Sequence, residues 1–468
     1  MTSRRDFIAT TAAVLAAYRR PVAPIAAAAR SAPLAPFALG LAPRPVPSPS
    51  QLSWQRDELA MFLHFGVNTF TDQEWGDGRE DEQIFAPANL DARQWARAAH
   101  ACGFRAMILT AKHHDGFCLW PSATTTHTVA RSPWREGKGD VVREFVDACR
   151  AERLKAGLYL SPWDRNSPAY GDSPRYNNLY CDQLTELLTR YGTISEVWFD
   201  GANGEGPNGK RQGYDWPRVW SLVRKLQPGA VMFSDAGPNV RWIGNERGVA
   251  GDTNWSTVDP AVVPYPGASG DAVMLMLQEG DPAGSAWRPG ETDVSIRPGW
   301  FHHPSEDSKV KSVEQLVDLY FTSVGRNSKL LLNVPPTREG LLHPTDVANL
   351  AGMRARLGAL LHEDLAAKRR VEWRSTSEHG AVVEVDLGRT VAIGIADLRE
   401  DITRGQVVAR YTVEGSDGGA WQTLARGTTI GCRKLDRFAA VTIRRARLTI
   451  EDAVAPPTRV HLGLHAPG

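Results

Sequence analysis

The sequence predicts an α/β protein, a (β/α)8-like TIM barrel followed by an all-β sandwich, and three features of its 468 residues carry that prediction. From about Leu59 onward, short β-rich runs alternate with segments of helical periodicity, the signature of β/α units. Past about Ala366 the pattern changes to short alternating strands with no helix among them. The length itself exceeds one ordinary core, so more than one domain is required. The boundaries fall at 1–32 for a signal peptide, 33–50 for a Pro-rich linker, 51–368 for the barrel and 369–468 for the β-sandwich.

Taken in order, Ser3-Arg4-Arg5-Asp6-Phe7-Ile8 precedes the apolar stretch Ala9 to Tyr18 and the small-residue run Ala26 to Ala29. Paired arginines before a modest apolar region form a twin-arginine export signal, which predicts a periplasmic or extracellular protein. The apolar stretch is too short to span a membrane. Pro43 to Pro49 reads as a Pro-rich connector.

Met61–Phe70 reads as a strand leading into a loop, and Leu90–Cys102 as a helix with Trp95, Ala98, Ala99 and Cys102 on one face. Ala106–Ala111 is the next strand. Asp140 is placed to cap a helix whose Val141, Val142, Phe145, Val146 and Cys149 recur at helical spacing. Lys155–Leu160 follows as a strand, Tyr176–Tyr191 as a helix, and Ser195–Phe199 as a strand that ends at Asp200. Ala230–Phe233, Val240–Ile243 and Lys329–Val334 continue the series, the last preceded by the helix Val313–Val324. Between them, Asp252 to Arg297 is rich in Gly and Pro and weakly periodic, and reads as long loops over a barrel mouth. A helix over Thr345–Ala366 closes this part, and Ala381–Leu387, Val407–Glu414 and Val441–Ile450 are strands of the following domain.

Composition narrows the function. Lys and Arg total 54 against 53 Asp and Glu, a net charge of +1 that gives no field to attract nucleic acid or anionic lipid. Tryptophan is abundant at 15 copies; most belong to the core, and aromatic faces are also what sugar-binding clefts offer to the apolar side of a pyranose ring. The cysteines (Cys102, Cys118, Cys149, Cys181, Cys432) are odd in number and lack a C-x-x-C pair, which argues against a disulfide framework or a zinc cluster.

In a barrel of parallel strands the active site lies where the strands end. Polar residues gather there: His64, Glu74 and Trp75 after the first strand, Lys112-His113-His114-Asp115 after the second, Ser161 and Trp163 after the third, Asp200 after the fourth, then Asp235 and Glu246. Asp200 directly follows Val197-Trp198-Phe199, so it is partly desolvated, and Gly201 admits close approach. Such a carboxylate suits nucleophilic attack. Glycoside cleavage with retention needs a second carboxyl about 5–5.5 Å away. Glu246 and Asp235 are both candidates; Trp242 beside Glu246 is the apolar neighbour that would raise an acid's pKa, yet spacing does not choose between them.

His64-Phe65-Gly66, Glu74-Trp75-Gly76, Lys112-His113-His114-Asp115-Gly116-Phe117, Tyr159-Leu160-Ser161-Pro162-Trp163 and Val197-Trp198-Phe199-Asp200-Gly201 together resemble glycoside hydrolase family 29, the α-L-fucosidases, over about Leu59 to Pro336. The resemblance implies that Asp200 is the nucleophile, that His64, His113, His114, Glu74 and Trp75 hold the fucose hydroxyls, and that Tyr159 lies near the ring. Arg241-Trp242-Ile243-Gly244-Asn245-Glu246 is similar to the subfamily acting on α-1,3 and α-1,4 linkages, where Glu246 would be the acid/base. Phe233 to Pro238, and Gly299-Trp300-Phe301 with Pro304 to Asp307, resemble the same subfamily. Tyr411–Asp417 and Trp421 to Leu424 resemble the galactose-binding-like sandwich appended to many such enzymes, either as a sugar-binding module or as packing for the barrel.

The substrate implied is a fucosylated oligosaccharide or glycoconjugate, with Trp300, Trp287 and Glu291 (and Asp293 and Arg297 nearby) expected to contact sugar from the long loop segment. No cofactor is expected, and neither is a metal: no H-x-H or H-E-x-x-H is present, and adjacent residues on a strand face opposite ways. Neutral imidazoles suit sugar hydroxyls because one nitrogen donates and the other accepts. Lys112 reads as a structural charge partner, and His302-His303 as loop residues. The alternative is a catalytically silent carbohydrate-binding protein. An intact pair of carboxyls at Asp200 and Glu246 argues against it.

Overall fold

The computed structural model describes residues 44–468, so the export signal read over 1–32 and the first part of the linker lie outside the described residues. In order, the elements of the barrel domain are α1 (Pro49–Arg56), β1 (Leu59–Leu63), α2 (Val67–Thr71), α3 (Ala92–Ala101), β2 (Ala106–Lys112), α4 (Val141–Ala151), β3 (Lys155–Leu160), α5 (Ser173–Arg190), β4 (Glu196–Trp198), α6 (Trp216–Leu226), β5 (Val231–Ser234), β6 (Val240–Trp242), β7 (Thr257–Val258), α7 (Asp271–Glu279), β8 (Ala286–Trp287), β9 (Gly290–Ser295), α8 (Val313–Thr322), β10 (Ser328–Asn333) and α9 (Pro344–Leu360). Eight of these strands, in the order β1-β2-β3-β4-β5-β6-β9-β10, close into a parallel barrel. Aspartates start the helices: Asp91, Asp140, Asp172 and Asp215 each cap α3, α4, α5 and α6 by accepting from the first-turn backbone.

Adjacent residues of each strand feed two different cores, as strands buried on both faces must. Met61, Leu63, Met107, Leu109, Leu158, Leu160, Met232 and Leu332 face the helices and pack with Trp95, Phe145 and Leu187. Ala60, Phe62, Ala106, Ile108, Tyr159, Trp198, Phe233 and Leu331 fill the barrel interior. Helix α1 closes the end where the strands begin. Its Trp54 enters the interior core and donates to Glu196 at the start of β4 (2.9 Å). Ser48 forms a capping box with Gln51, so ordered structure begins inside the interval read as a linker.

Asp252 to Arg297 is not one loop over the mouth. It holds the small antiparallel sheet of β7 and β8, the helix α7, and β9, a strand of the barrel itself. The strand is hard to see because Glu291, Thr292, Asp293 and Ser295 are polar, yet all are buried. Helix α6 lies between the strands β4 and β5 and buries Trp216, Val219 and Val223.

The C-terminal domain comprises β11 (Val371–Ser375), β12 (Ala381–Glu400), β13 (Val408–Ser416), β14 (Gln422–Gly427), β15 (Lys434–Ala453) and β16 (Val460–His465). Their hydrogen bonds trace one six-stranded antiparallel sheet, β11-β12-β15-β13-β14, with β16 on β12. Strands β12 and β15 run 20 residues each and slip register between Asp386 and Val391 and between Ile393 and Ile395. Residues from both ends of β12, Val383 and Val385 with Ala396 and Leu398, share one core with Tyr411, Val413, Ile443 and Leu448. The sandwich-like layering thus comes from a sheet bent over on itself at irregular positions.

This domain is fused to the barrel rather than tethered to it. Ile395 and Leu435 belong to the barrel's outer core. Arg433 makes a two-pronged pair with Asp397 (2.7 and 3.2 Å) and reaches Glu58 (3.0 Å) and the Tyr320 hydroxyl (2.6 Å) on the barrel.

Candidate active site

The C-terminal ends of the strands bring together a wall of histidines. His64, just past β1, offers both its backbone N–H and its Nδ1 to Asn333 Oδ1 (3.2 and 2.9 Å). Asn333 donates through Nδ2 to Ser295 Oγ and the Trp300 carbonyl (2.9 and 2.8 Å), so its Oδ1 is an acceptor and His64 Nδ1 carries the hydrogen. Burial outweighs the Asn333 bond and the Asp200 charge, and pushes the His64 pKa down to about 3. A neutral ring with a protonated Nδ1 leaves Nε2 as an acceptor.

Past β2, the His113 and His114 rings lie 4.2 Å apart. His114 Nδ1 is 2.7 Å from Ser161 Oγ, whose hydroxyl donates to the Trp163 carbonyl (2.6 Å), so Nδ1 carries a hydrogen and donates. Burial first, then its two histidine neighbours, hold the His113 pKa well below the usual value. Its Nδ1 is buried without a hydrogen-bond partner, 3.9 Å from Asp115.

Asp200 stands at the tip of β4, half-buried, where the Phe199 N–H to Phe233 carbonyl bond (3.0 Å) holds the strand end against β5. Its Oδ2 accepts from the Tyr159 hydroxyl (3.3 Å) and its Oδ1 from the Ala202 N–H (2.7 Å). The Tyr159 ring is itself fixed, stacked on His113 (5.9 Å, 21°) and packed on Trp198, which stacks on Phe233 at 4.1 Å. A side chain at Gly201 would collide with the Asp235 carboxylate and the Gly267 backbone. The glycine therefore lets a buried Asp235 lie against the chain that carries Asp200, while its Oδ2 accepts from Gly267 N–H (3.0 Å).

The two acid/base candidates differ in setting. Asp235 is buried under that loop, whereas Glu246 is exposed on a turn after β6. The turn is built on both sides. Arg241, fully buried and lowered to about 9 by desolvation, donates to the Leu277 carbonyl (2.9 Å), the Arg288 carbonyl and Asn254 Oδ1 (2.7 Å). Trp242 Nε1 donates to Asp293 (2.7 Å), and Asn245 ties Val249 and Arg247 into the turn.

Trp75 is 43% exposed, with its ring 6.0 Å from Trp163 and 6.2 Å from His114, and Trp300 lies 5.1 Å from His64. These aromatic rings border the histidine wall on two sides. Glu74 is engaged: its carboxylate accepts from the backbone of Trp300 (2.8 Å) and Phe301 (3.0 Å) and from His303 (2.7 Å). Asn333 and His303 escaped sequence reasoning. Asn333 had a signal, a polar residue ending the apolar run Leu330-Leu331-Leu332 at a barrel strand tip.

Two expected sugar contacts lie elsewhere. Trp287 is buried at the opposite end, its Nε1 donating to Gln55 (3.0 Å) and its carbonyl accepting from Gln51 (2.7 Å) of α1. Glu291 is fully buried inside the barrel, bonded to Trp198 Nε1 (3.0 Å) and 3.9 Å from Lys329. Trp287 precedes β9 and Glu291 is its second residue, so this stretch runs from the barrel floor as a strand and not as a mouth loop. Arg297 is likewise committed, with two bonds to Asp346 (2.9 Å each) and one to Asp307 (2.7 Å). Lys112 is the charge partner expected, buried against Asp164 and Gln183 (2.9 Å each).

The arrangement offers a half-exposed carboxylate with its acceptor oxygens oriented, a neutral imidazole at His64 with an acceptor nitrogen, and flat indoles beside them. That is the equipment for gripping and cleaving a neutral polyol ring. Residues 46–359 match the family model described as Alpha-L-fucosidase. An alpha-L-fucosidase 1 from Arabidopsis thaliana is 43% identical over 450 residues, 90% of this chain and 87% of that protein. A crystal structure of a glycoside hydrolase 29 family member from an unknown rumen bacterium aligns with TM-score 0.84 at 42% identity, over 91% of this chain and 78% of that one. A GH29 fucosidase from Ruminococcus gnavus in complex with fucose aligns with TM-score 0.82 at 30% identity, over 92% and 97%.

Proposed function

Since the chain belongs to glycoside hydrolase family 29, the α-L-fucosidases, we propose that it removes α-1,3- or α-1,4-linked L-fucose from glycans with retention, Asp200 acting as nucleophile and Glu246 as acid/base. The observation that carries this reading is Asp200 at the tip of β4, half-exposed and held by Tyr159 and Ala202 beside a wall of histidines.

Glu246 protonates the departing glycosidic oxygen while Asp200 attacks the anomeric carbon and forms a fucosyl ester. Water, deprotonated by Glu246, then opens the ester and frees fucose. Both Asp200 oxygens accept hydrogen bonds, which orients the carboxylate for attack. The Nε2 atom of His64 accepts from a sugar hydroxyl, and an uncharged His64 avoids placing a cation beside the oxocarbenium-like transition state. Glu246 suits the acid role because its turn exposes it to a leaving group, whereas Asp235 is buried. Trp75 and Trp300 offer faces to the ring and its neighbours.

The linkage reading rests on the Arg241–Glu246 turn and the Gly299–Asp307 segment. The second branch of a Lewis-type glycan is left to groups at the mouth, since Trp287, Glu291 and Arg297 are occupied elsewhere. The paired arginines Arg4 and Arg5 support export to the periplasm or beyond. Among the described residues no helix is long and apolar enough to cross a membrane.

The test compares kcat/KM for a Lewis-type trisaccharide, the same compound without galactose, and 2′-fucosyllactose. The trisaccharide is expected to be the best substrate. Equal efficiency on all three, or preference for the α-1,2 compound, contradicts the linkage reading and leaves the family untouched.

A further inference from the structure

His303 is held between two carboxylates from another loop. Its Nδ1 lies 2.8 Å from Asp72 Oδ1 and its Nε2 2.7 Å from Glu74 Oε1. Ionised carboxylates only accept, so both ring nitrogens must donate, and the ring is an imidazolium. The two loops it joins are the ones that carry the indoles of the site. Asp72 caps the C-terminus of α2 in a left-handed conformation (φ 61°) and leads through Glu74 to Trp75. His303 sits on the segment after β9 that carries Trp300 and Phe301, whose backbone N–H groups both donate to Glu74.

We propose that His303, as a doubly donating imidazolium, is the positioning residue that locks these two loops together, so that fucose is held tightly only while that proton is present. The inference rests on the reading of the cleft as a fucose site. The lock works through Glu74. Its carboxylate already receives two backbone N–H groups, and the third donor, a charged one, fixes which way it faces. When the proton leaves, one of the two contacts becomes lone pair against carboxylate, and the loops lose their bridge.

The charged groups facing the ring are Asp72 from the end of α2, Glu74 from the loop after it, and Glu306 from His303's own segment, where Glu306 also accepts from Gly299 N–H (3.0 Å). All are anionic. Partial burial opposes the charge, but the bonds to Asp72 and Glu74 prevail and hold the His303 pKa above 6.5. The neighbouring His302 goes the other way, down to about 4 through burial and the Arg297 charge. The pKa values of adjacent histidines thus move in opposite directions.

The test is the dissociation constant of L-fucose, a ligand with no titrating group of its own, measured calorimetrically on the full chain from pH 6 to pH 9. Above the break, affinity should weaken by up to about tenfold per pH unit until the unlocked state sets a floor. His303→Gln should bind at pH 6 as weakly as the native chain at pH 9, with no pH dependence. Asp72→Asn, an exposed change that keeps an acceptor for Nδ1 but removes one charge, should shift the break down by about one pH unit. A native chain that binds fucose equally across the range overturns the lock and leaves the fucosidase reading standing, as does an unshifted break in Asp72→Asn. Absence of fucose binding at every pH overturns both.

Discussion

The two ends of the barrel are furnished with the same kinds of residue and put to opposite uses. At the closed end, Trp54 and Trp287 donate to Glu196 and Gln55, and Lys329 pairs with Glu196 (3.1 Å) beneath the Trp54 ring. Glu291 completes the group. Burial, then the Glu196 charge, pushes its pKa well above the usual carboxylate value, against the opposing charge of Lys329. At the open end, the indoles of Trp75 and Trp300 stay partly exposed and a carboxylate is half-exposed beside the histidine wall. Polar groups buried against one another build a floor, and groups left partly exposed build a site.

Substitutions at the open end should therefore alter chemistry while leaving stability nearly intact. Asp200→Asn should lower kcat by at least on the order of 10³-fold, since an amide forms no ester intermediate. Glu246→Ala should cost on the order of 10²–10⁴-fold with unactivated substrates, and azide should recover part of the rate with an activated fucoside. If Asp235→Asn shows that rescue pattern instead, the acid/base role passes to Asp235.

The closed end should respond in the reverse sense. Lys329→Met strands a buried carboxylate and should destabilise the fold by about 3–5 kcal/mol in denaturant titration, with kcat/KM of the folded protein little changed. A catalytic loss without a stability loss would dissolve the distinction between the ends.

The ends also titrate oppositely. Folded His64 refuses, down to about pH 3, the proton that the unfolded chain accepts below 6.5, and His113 acts in the same direction. Stability from the open end is present above 6.5 and is lost as pH falls through that window, by on the order of 1 kcal/mol per pH unit per group. Glu291 keeps a proton that the unfolded chain releases above its ordinary 4.5, so its contribution is lost as pH rises. Glu291→Gln mimics the neutral acid, and should leave activity almost unchanged while flattening the fall in stability above pH 4.5. A large rate loss in this variant would restore Glu291 to the substrate site.

Much of the barrel was legible because period and turn chemistry agree there: Lys155–Leu160 is the strand expected, and Asp140 caps the helix it was assigned. That Asp200, the histidines and Trp75 gather at one end was legible because strand ends in a barrel converge. What escaped was direction along one hidden strand. Gly290–Ser295 is rich in polar residues because Glu291 and Asp293 bond inside the barrel and at its rim, so alternation gives no strand signal. Without that strand, Trp287 just before it and Trp300 just after it seem to share a loop, although one lies at the floor and the other at the mouth. His303 escaped for another reason: its partners Asp72 and Glu74 lie about 230 positions away, and no local pattern links them.

The most direct test of the open end as a site of covalent chemistry is to trap the ester. The intact chain would be treated with a 2-deoxy-2-fluoro-L-fucosyl donor bearing a good leaving group, then digested and mapped by mass spectrometry. One fluorofucosyl group on the peptide containing Asp200, absent from Asp200→Asn, is the predicted result. Labelling at Asp235 or Glu246 in its place, or turnover with no ester on any carboxylate, would contradict it.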